Sequence, residues 1–396
     1  MSNFNKIKDD VFTLQLPGSD LVFTRYLYVK DEVRIALLVS ILNKSDDAIF
    51  WAYELYHSGF KNELFGLIWK IYYDFFATLN PTFEAYLLKK HKEVIMAFDS
   101  NQDRVVSSII QDLLFRPFNT DVFIMRNICD NFEPDIIYHQ CKDTLFIYNN
   151  FEKWIELDDY RSISHWILNI NKTVDSVDVY NVCLNIFEKN GLKLTKNKLE
   201  KEFVSVINLN INANIILLAK IMCLFSKKED LKKGRSIYIN VEPEDVVQYE
   251  TISSLENYKV LENACICGID DLKHLSLFKL NRQKYNIKDE YWYRWEYHAS
   301  FSPIWSQRIR QFGGYPDYTR QKIIFKEEPD DDQVQNFYNL YGYEPDEQSI
   351  TTQLKNIMEL EKVHNWKWFN EQYRKNGLFE AYDEELEEFD LIGIIY

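Results

Sequence analysis

The sequence predicts a mainly α-helical protein, a helical-hairpin array followed by a smaller aromatic-rich α+β module. Three observations carry this. Eleven glycines and nine prolines in 396 residues leave few breaks, which favours helices over many short strands. Apolar residues recur at i, i+4 and i+7 or i+8 through the first half. The chain is 46% hydrophobic and 16% aromatic, enough to fill a core without staples.

Residues 1–30 read as an N-terminal extended segment. Phe12, Leu14 and Leu16 alternate with polar neighbours, Pro17-Gly18 makes a turn, and Leu21-Val22-Phe23 follows, which suggests a small hairpin. From Asp31 the period lengthens, and Val33, Leu37, Leu38 and Ile41 share one helix face as far as Asn43-Lys44. Ser45 stands where an N-cap belongs, with Asp46 and Asp47 in the next first turn. That helix carries Ile49, Phe50, Tyr53 and Tyr56 and stops at Ser58-Gly59. Asn62-Glu63 opens a third through Leu64, Ile68, Ile71 and Phe75, closed by Pro81. A fourth starts over Phe83–Lys90, and a fifth spans about Gln102 to Phe115, ended by Arg116-Pro117. Short connections make antiparallel neighbours, so residues 31–225 are expected to stack as helical hairpins, with no fixed repeat period.

Further along, Asp159 and Ser162 cap a helix with Ile163, Trp166 and Ile167. Asp175 opens another through Val179, Val182, Cys183 and Ile186, stopped by Asn190-Gly191. Lys193–Lys201 reads as a polar helix with a solvated basic face. Ile211–Phe225 is the most apolar stretch. Lys220 interrupts it and it is too short to span a bilayer, so it is expected to be a buried helix. The charged run SKKEDLKKGR makes residues 226–236 a linker or exposed loop. Ser236–Val241 alternates like a strand, and Glu242-Pro243-Glu244-Asp245 starts a helix with proline at N1. Residues 237–396 form the aromatic-rich C-terminal module with an acidic tail.

Net charge is −15, so nucleic acid would need a local basic patch. One exists. Residues 278–326 hold ten basic and four acidic residues, interleaved with aromatics from Tyr285 to Tyr318. As a surface for unpaired bases it would use Arg282, Trp292, Trp305, Arg308, Arg310 and Arg320. The preferred reading is internal packing, because residues 327–396 carry eighteen acidic and five basic residues and can neutralise the segment. The tail ends in Leu391-Ile392-Gly393-Ile394-Ile395-Tyr396. Phe389, Leu391, Ile392 and Tyr396 are poorly solvated if left free, which points to docking on a protein partner.

Catalytic signatures are absent from the sequence: it has no Walker A loop, G-x-G-x-x-G, G-x-S-x-G elbow or H-E-x-x-H. A metal-dependent nuclease would have to be built from Glu244 and Asp271 as ligands with Lys273 orienting water, but Cys267-Gly268-Ile269-Asp270 makes a poor strand for such a site. Cys129, His139 and Cys141 would supply three zinc ligands, yet no C-x-x-C pairs with them. Scattered cysteines in apolar runs read instead as reduced, buried thiols in the cytoplasm. No metal, cofactor or catalytic residue is assigned, and no membrane association is expected.

Two local resemblances add to this. Ser40–Trp51, continuing to Gly59, resembles a helix pair in the collar of clamp-loader-related AAA+ ATPases, where a Ser-Asp cap precedes an Ala/aromatic helix that stops at glycine. It implies a helical packing unit without the ATPase module. Tyr291-Trp292-Tyr293-Arg294-Trp295-Glu296-Tyr297-His298 through Trp305, then Tyr341-Gly342-Tyr343-Glu344-Pro345-Asp346-Glu347-Gln348, resembles uncharacterised proteins of the nucleocytoplasmic large DNA viruses. That implies a viral protein of the host cytoplasm or virion and brings no activity. The expected function is a non-enzymatic interaction or scaffold protein, with single-stranded nucleic-acid binding and the nuclease as alternatives.

Overall fold

The structure, a computed structural model, describes residues 21–96, 103–130, 144–157, 159–168, 176–189, 213–225, 238–250, 277, 285–325, 332–341, 349–351, 369 and 372–373. Of the residues it describes, 74% are helical, so the fold is mainly α with a small antiparallel sheet near the C-terminal end.

The helices are α1 (Lys30–Leu42), α2 (Asp47–His57), α3 (Lys61–Ile71), α4 (Phe83–Met96), α5 (Asp103–Phe115), α6 (Asp121–Asp130), α7 (Thr144–Glu156), α8 (Tyr160–Leu168), α9 (Ser176–Lys189) and α10 (Ala213–Phe225). Their ends follow the local chemistry. Asp159 accepts the Ser162 N–H at 3.0 Å and caps α8. Ser45 works one residue early: its Oγ takes the Asp47 N–H at 3.3 Å, while the N-cap position itself belongs to Asp46. Gly59 ends α2 with φ +94°, a conformation that favours glycine.

At the end of α3 the backbone widens into a π-helical turn, Tyr72–Phe76, every residue of which is buried. The stretch Ile-Tyr-Tyr-Asp-Phe-Phe has no polar face against which a change of period would show.

The first core runs through α1–α10 and includes Trp51, Trp69, Phe75, Ile109, Leu217 and Met222. It also takes in Val241, Val246, Leu277, Phe369 and Tyr373, which brings later parts of the chain back onto the helical array. Val246 belongs to α11 (Pro243–Glu250), which begins at its proline as the sequence predicts. The strand expected over Ser236–Val241 is not formed where the chain is described. Residues 238–242 are irregular, and the Ile239 N–H goes to Asp112 Oδ1 at 2.9 Å instead of to a neighbouring strand.

A second core joins α12 (Ile287–Ala299), α13 (Pro303–Gln311), the hairpin β1 (Gly314–Asp317) with β2 (Lys322–Phe325), and α14 (Asp332–Tyr341). Ser302 caps α13 with proline at N1, accepting the Trp305 N–H at 3.4 Å. Arg294 breaks the regularity of α12 with φ −144° and ψ 20°. Leu21, Phe23, Leu27 and Val29 belong to this core too. The hairpin expected to turn at Pro17-Gly18 lies mostly outside the described residues; from Leu21 the chain makes a separate tight loop closed by one antiparallel bridge, Phe23 with Val29. Residues 1–20, the polar helix 193–201 and the linker 226–236 lie outside the described residues.

Candidate functional site

Among the charged residues buried within the helical core are Glu54, Asp74, Glu84, Asp112 and Lys220. A buried charge is tolerated only when paired and hydrogen-bonded, and each of these is. Glu54 Oε2 accepts Arg25 Nε at 3.0 Å and its Oε1 accepts the Tyr26 N–H at 3.0 Å. Arg25 also donates to the Tyr249 carbonyl at 2.7 Å, so one guanidinium ties the loop, α2 and α11. Asp74, on the π turn, takes Arg126 of α6 through two hydrogen bonds, one at 3.0 Å. Burial pushes the Asp74 carboxyl up, and Arg126 and then Lys70 pull it back.

Glu84 of α4 takes Lys220 of α10 at 2.9 Å and the Tyr73 hydroxyl at 2.7 Å. Burial raises the Tyr73 phenol, and Glu84 raises it further. Nearby Cys223 donates to the Ala77 carbonyl at 3.4 Å, its thiol pushed up to about 12 by burial. Asp112 Oδ1 lies 3.4 Å from Arg116, whose guanidinium stacks over Phe83 at 4.1 Å. Chemically these clusters hold helices in register. Asp112 Oδ2 apart, their carboxylate oxygens are occupied by this chain's own donors inside packed core. Among the described residues no group of three or more His, Cys, Asp or Glu is arranged to hold a metal. Cys183 and Cys223 are free and buried. His139, Cys141 and the side chain of Cys129 fall outside what is described.

The basic aromatic segment divides by side. Trp305 is fully enclosed, its indole N–H bonded to the Thr24 carbonyl at 3.0 Å, so neither face is open to a base. Arg308 is buried over the rings of Trp305 and Tyr341, at 4.5 and 4.8 Å. Trp292 is half-buried, and its indole N–H has no hydrogen-bond partner. Of the six residues proposed for unpaired bases, then, Trp305 and Arg308 are spent on internal packing, and Trp292 offers only part of its surface. Arg310 and Arg320 are exposed. Arg282 lies outside the described residues.

His298 ties this module to the loop. Its Nδ1 lies 3.3 Å from the Leu21 carbonyl and its Nε2 2.7 Å from Glu290 Oε2. Burial pushes its pKa down, while the Glu290 carboxylate and the Leu21 carbonyl pull it up.

What remains outward is a second aromatic and cationic set that sequence reading passed over as individuals. On the hairpin, Pro316 and Ile323 pair across one face with Gly314 and Phe325, and Ile323 and Phe325 pack on the core. Alternation therefore turns Tyr315 and Lys322 outward. Tyr315 is 48% exposed, Tyr318 in the turn 40%, and Tyr293 on α12 77%. Period-2 alternation across the turn Asp-Tyr-Thr-Arg-Gln was the available signal. Glu244 is exposed on α11, and Asp271 and Lys273 are outside the described residues, so no nuclease site is assembled among the described residues. Phe389, Leu391, Ile392 and Tyr396 also lie outside them. No helix among the described residues is long and apolar enough to cross a membrane. No protein-family model, curated protein or solved structure matches the chain.

Proposed function

We propose that this chain is a non-enzymatic interaction or scaffold protein of the cytoplasm, which works by presenting surfaces on a helical array. The observation that carries it is the exposure, on the C-terminal module, of Tyr293, Tyr315 and Tyr318 and of Arg310, Arg320 and Lys322. Tyrosine and arginine are the residues protein interfaces enrich and from which they draw most of their energy. Interior ion pairs support the reading from the other side, since a presenting surface needs a frame that keeps its shape. Phe389, Leu391, Ile392 and Tyr396 supply the second contact in this proposal, as an apolar plug at the end of the chain.

The test is deletion of Leu391–Tyr396 together with Tyr315→Ala and Tyr318→Ala. Light scattering should report a lower mass at matched concentration, and retention on immobilised wild-type chain should fall. Unchanged association in both measurements would count against the proposal. If the same substitutions instead abolish a salt-sensitive gel shift with single-stranded nucleic acid and leave association intact, the face binds unpaired bases, and the interaction reading fails.

A further inference from the structure

The hairpin has one carboxylate, Asp317, and it is committed to the turn. Its Oδ1 accepts the N–H groups of Thr319 and Arg320 at 2.9 and 3.0 Å. Beside it stand Arg320, 75% exposed and 3.7 Å from Asp317 at its closest, and Lys322, its partner across the ladder. Tyr315 shares the outward strand face with Asp317 and Lys322, and Tyr318 follows Asp317 in the turn, both partly exposed. A surface of this kind fits an extended acidic peptide that also carries apolar side chains.

The chain itself contains one. Asp383, Glu384, Glu385, Glu387, Glu388 and Asp390 surround Leu386 and Phe389, and Leu391–Tyr396 follow. We propose that the outer face of the hairpin receives the segment Asp383–Tyr396 of a second copy of this chain, which gives the scaffold reading above, on which this rests, a head-to-tail contact.

Geometry favours the second copy over the same one. Tyr373 is tied to the C-terminal end of α1, its hydroxyl donating to Asn43 Oδ1 at 2.9 Å, and Phe369 packs on Phe123 at 5.4 Å. The loop that meets the C-terminal module lies at the other end of α1, about 20 Å away at 1.5 Å per residue. The hairpin lies farther still. Tyr338 of α14 meets α12 at Glu296, whose carboxyl also feels the Lys322 charge, whereas His298, two residues and ~200° round the helix, faces the loop. A helix diameter adds roughly 10 Å. The link from Tyr373 to Asp383 spans at most about 35 Å when fully extended. With those legs in line the link has little slack in one chain; between two copies no such limit applies.

A charge swap tests this in the full-length chain. One variant carries Arg320→Glu and Lys322→Glu, the other Glu387→Lys and Glu388→Lys. Each alone sets like charge against like charge and should self-associate about tenfold more weakly than wild type in light scattering. A one-to-one mixture pairs opposite charges in both directions and should regain the wild-type mass. That recovery also shows that both variants fold. Two results overturn the proposal: single variants that associate like wild type, which leaves the interaction reading standing on another surface, or a mixture that stays as weak as its parts. A wild-type chain that is monomeric at every concentration overturns it as well, while the retention and nucleic-acid measurements above decide the broader reading separately.

Discussion

His91 lies flat against Phe65, ring centres 4.4 Å apart, and its Nδ1 accepts the Trp69 indole N–H at 3.0 Å. An acceptor nitrogen has no proton, so the ring is held neutral, and burial pushes its pKa down to about 4. His57 is also pushed down to about 4, first by burial and then by Arg25. An unfolded histidine titrates near 6.5. Between those values the unfolded chain binds more protons than the folded one, so stability rises with pH. The contribution is complete above about pH 6.5, drains as pH falls, and is gone below about 4. The urea midpoint should therefore drop between pH 7 and pH 4.5. His91→Gln keeps an acceptor for Trp69 and does not titrate, so it should remove a clear part of that drop, with His57 and His298 carrying the rest. An unchanged slope in the variant would show that His91 does not couple folding to protons. Such single-residue behaviour was only partly legible beforehand: a histidine in an apolar run announces burial, but its acceptor role depends on Trp69, one helix away.

Helices were legible wherever a polar cap and an i, i+4 apolar face coincide. Asp159, which caps α8, marked its helix in this way, and α9 begins at Ser176, one residue past the Asp175 that the sequence marks as its opening. Two elements were hidden for physical reasons. The π turn at Tyr72–Phe76 is buried all round, so a shift from four to five residues leaves no mark on the hydrophobic pattern. The misread strand near Ile239 alternates correctly, but its backbone bonds to Asp112 of α5. Lys220 was visible as a lone cation in the most apolar helix, and its partner was not. The pair it makes with Glu84 joins α4 to α10. Lys220→Met leaves Glu84 buried without its cation and should cost about 3–5 kcal/mol in urea unfolding. Adding Glu84→Gln removes the stranded charge while the amide oxygen still accepts from Tyr73, so the double variant should recover most of that loss. A single variant costing less than ~1 kcal/mol would mean that the site admits water and the pair is not structural.

At the scale of the whole molecule, two cores meet at one short loop. Residues 21–29 lead into α1 of the first core while their side chains fill the second. Thr24 and Trp305 are bonded although 281 residues separate them, and no local pattern announces such a meeting. The same loop is fixed to the first core by Arg25 on Glu54 and by the Arg25 N–H on Ser58 Oγ at 2.8 Å. Ser58 then accepts the Ile304 N–H at 3.3 Å at the start of α13, and Gly59 lies so close to Pro303 that an added Cβ would fall 2.5 Å from the proline Cβ. The junction is polar and tight on the side of the first core and aromatic on the side of the second, where Phe23 meets Tyr291 and His298 edge-on at 5.9 and 5.8 Å. Removing the Phe23 ring should therefore act on one core only. Phe23→Ala is expected to cost about 3–5 kcal/mol of local stability. In hydrogen exchange followed by mass spectrometry, amides of α12 and α13 should exchange faster, while those of α1–α3 keep their protection because Arg25, Glu54 and Ser58 still hold the loop. Equal acceleration in both sets would show that the cores unfold as one unit and that the loop transmits the loss between them.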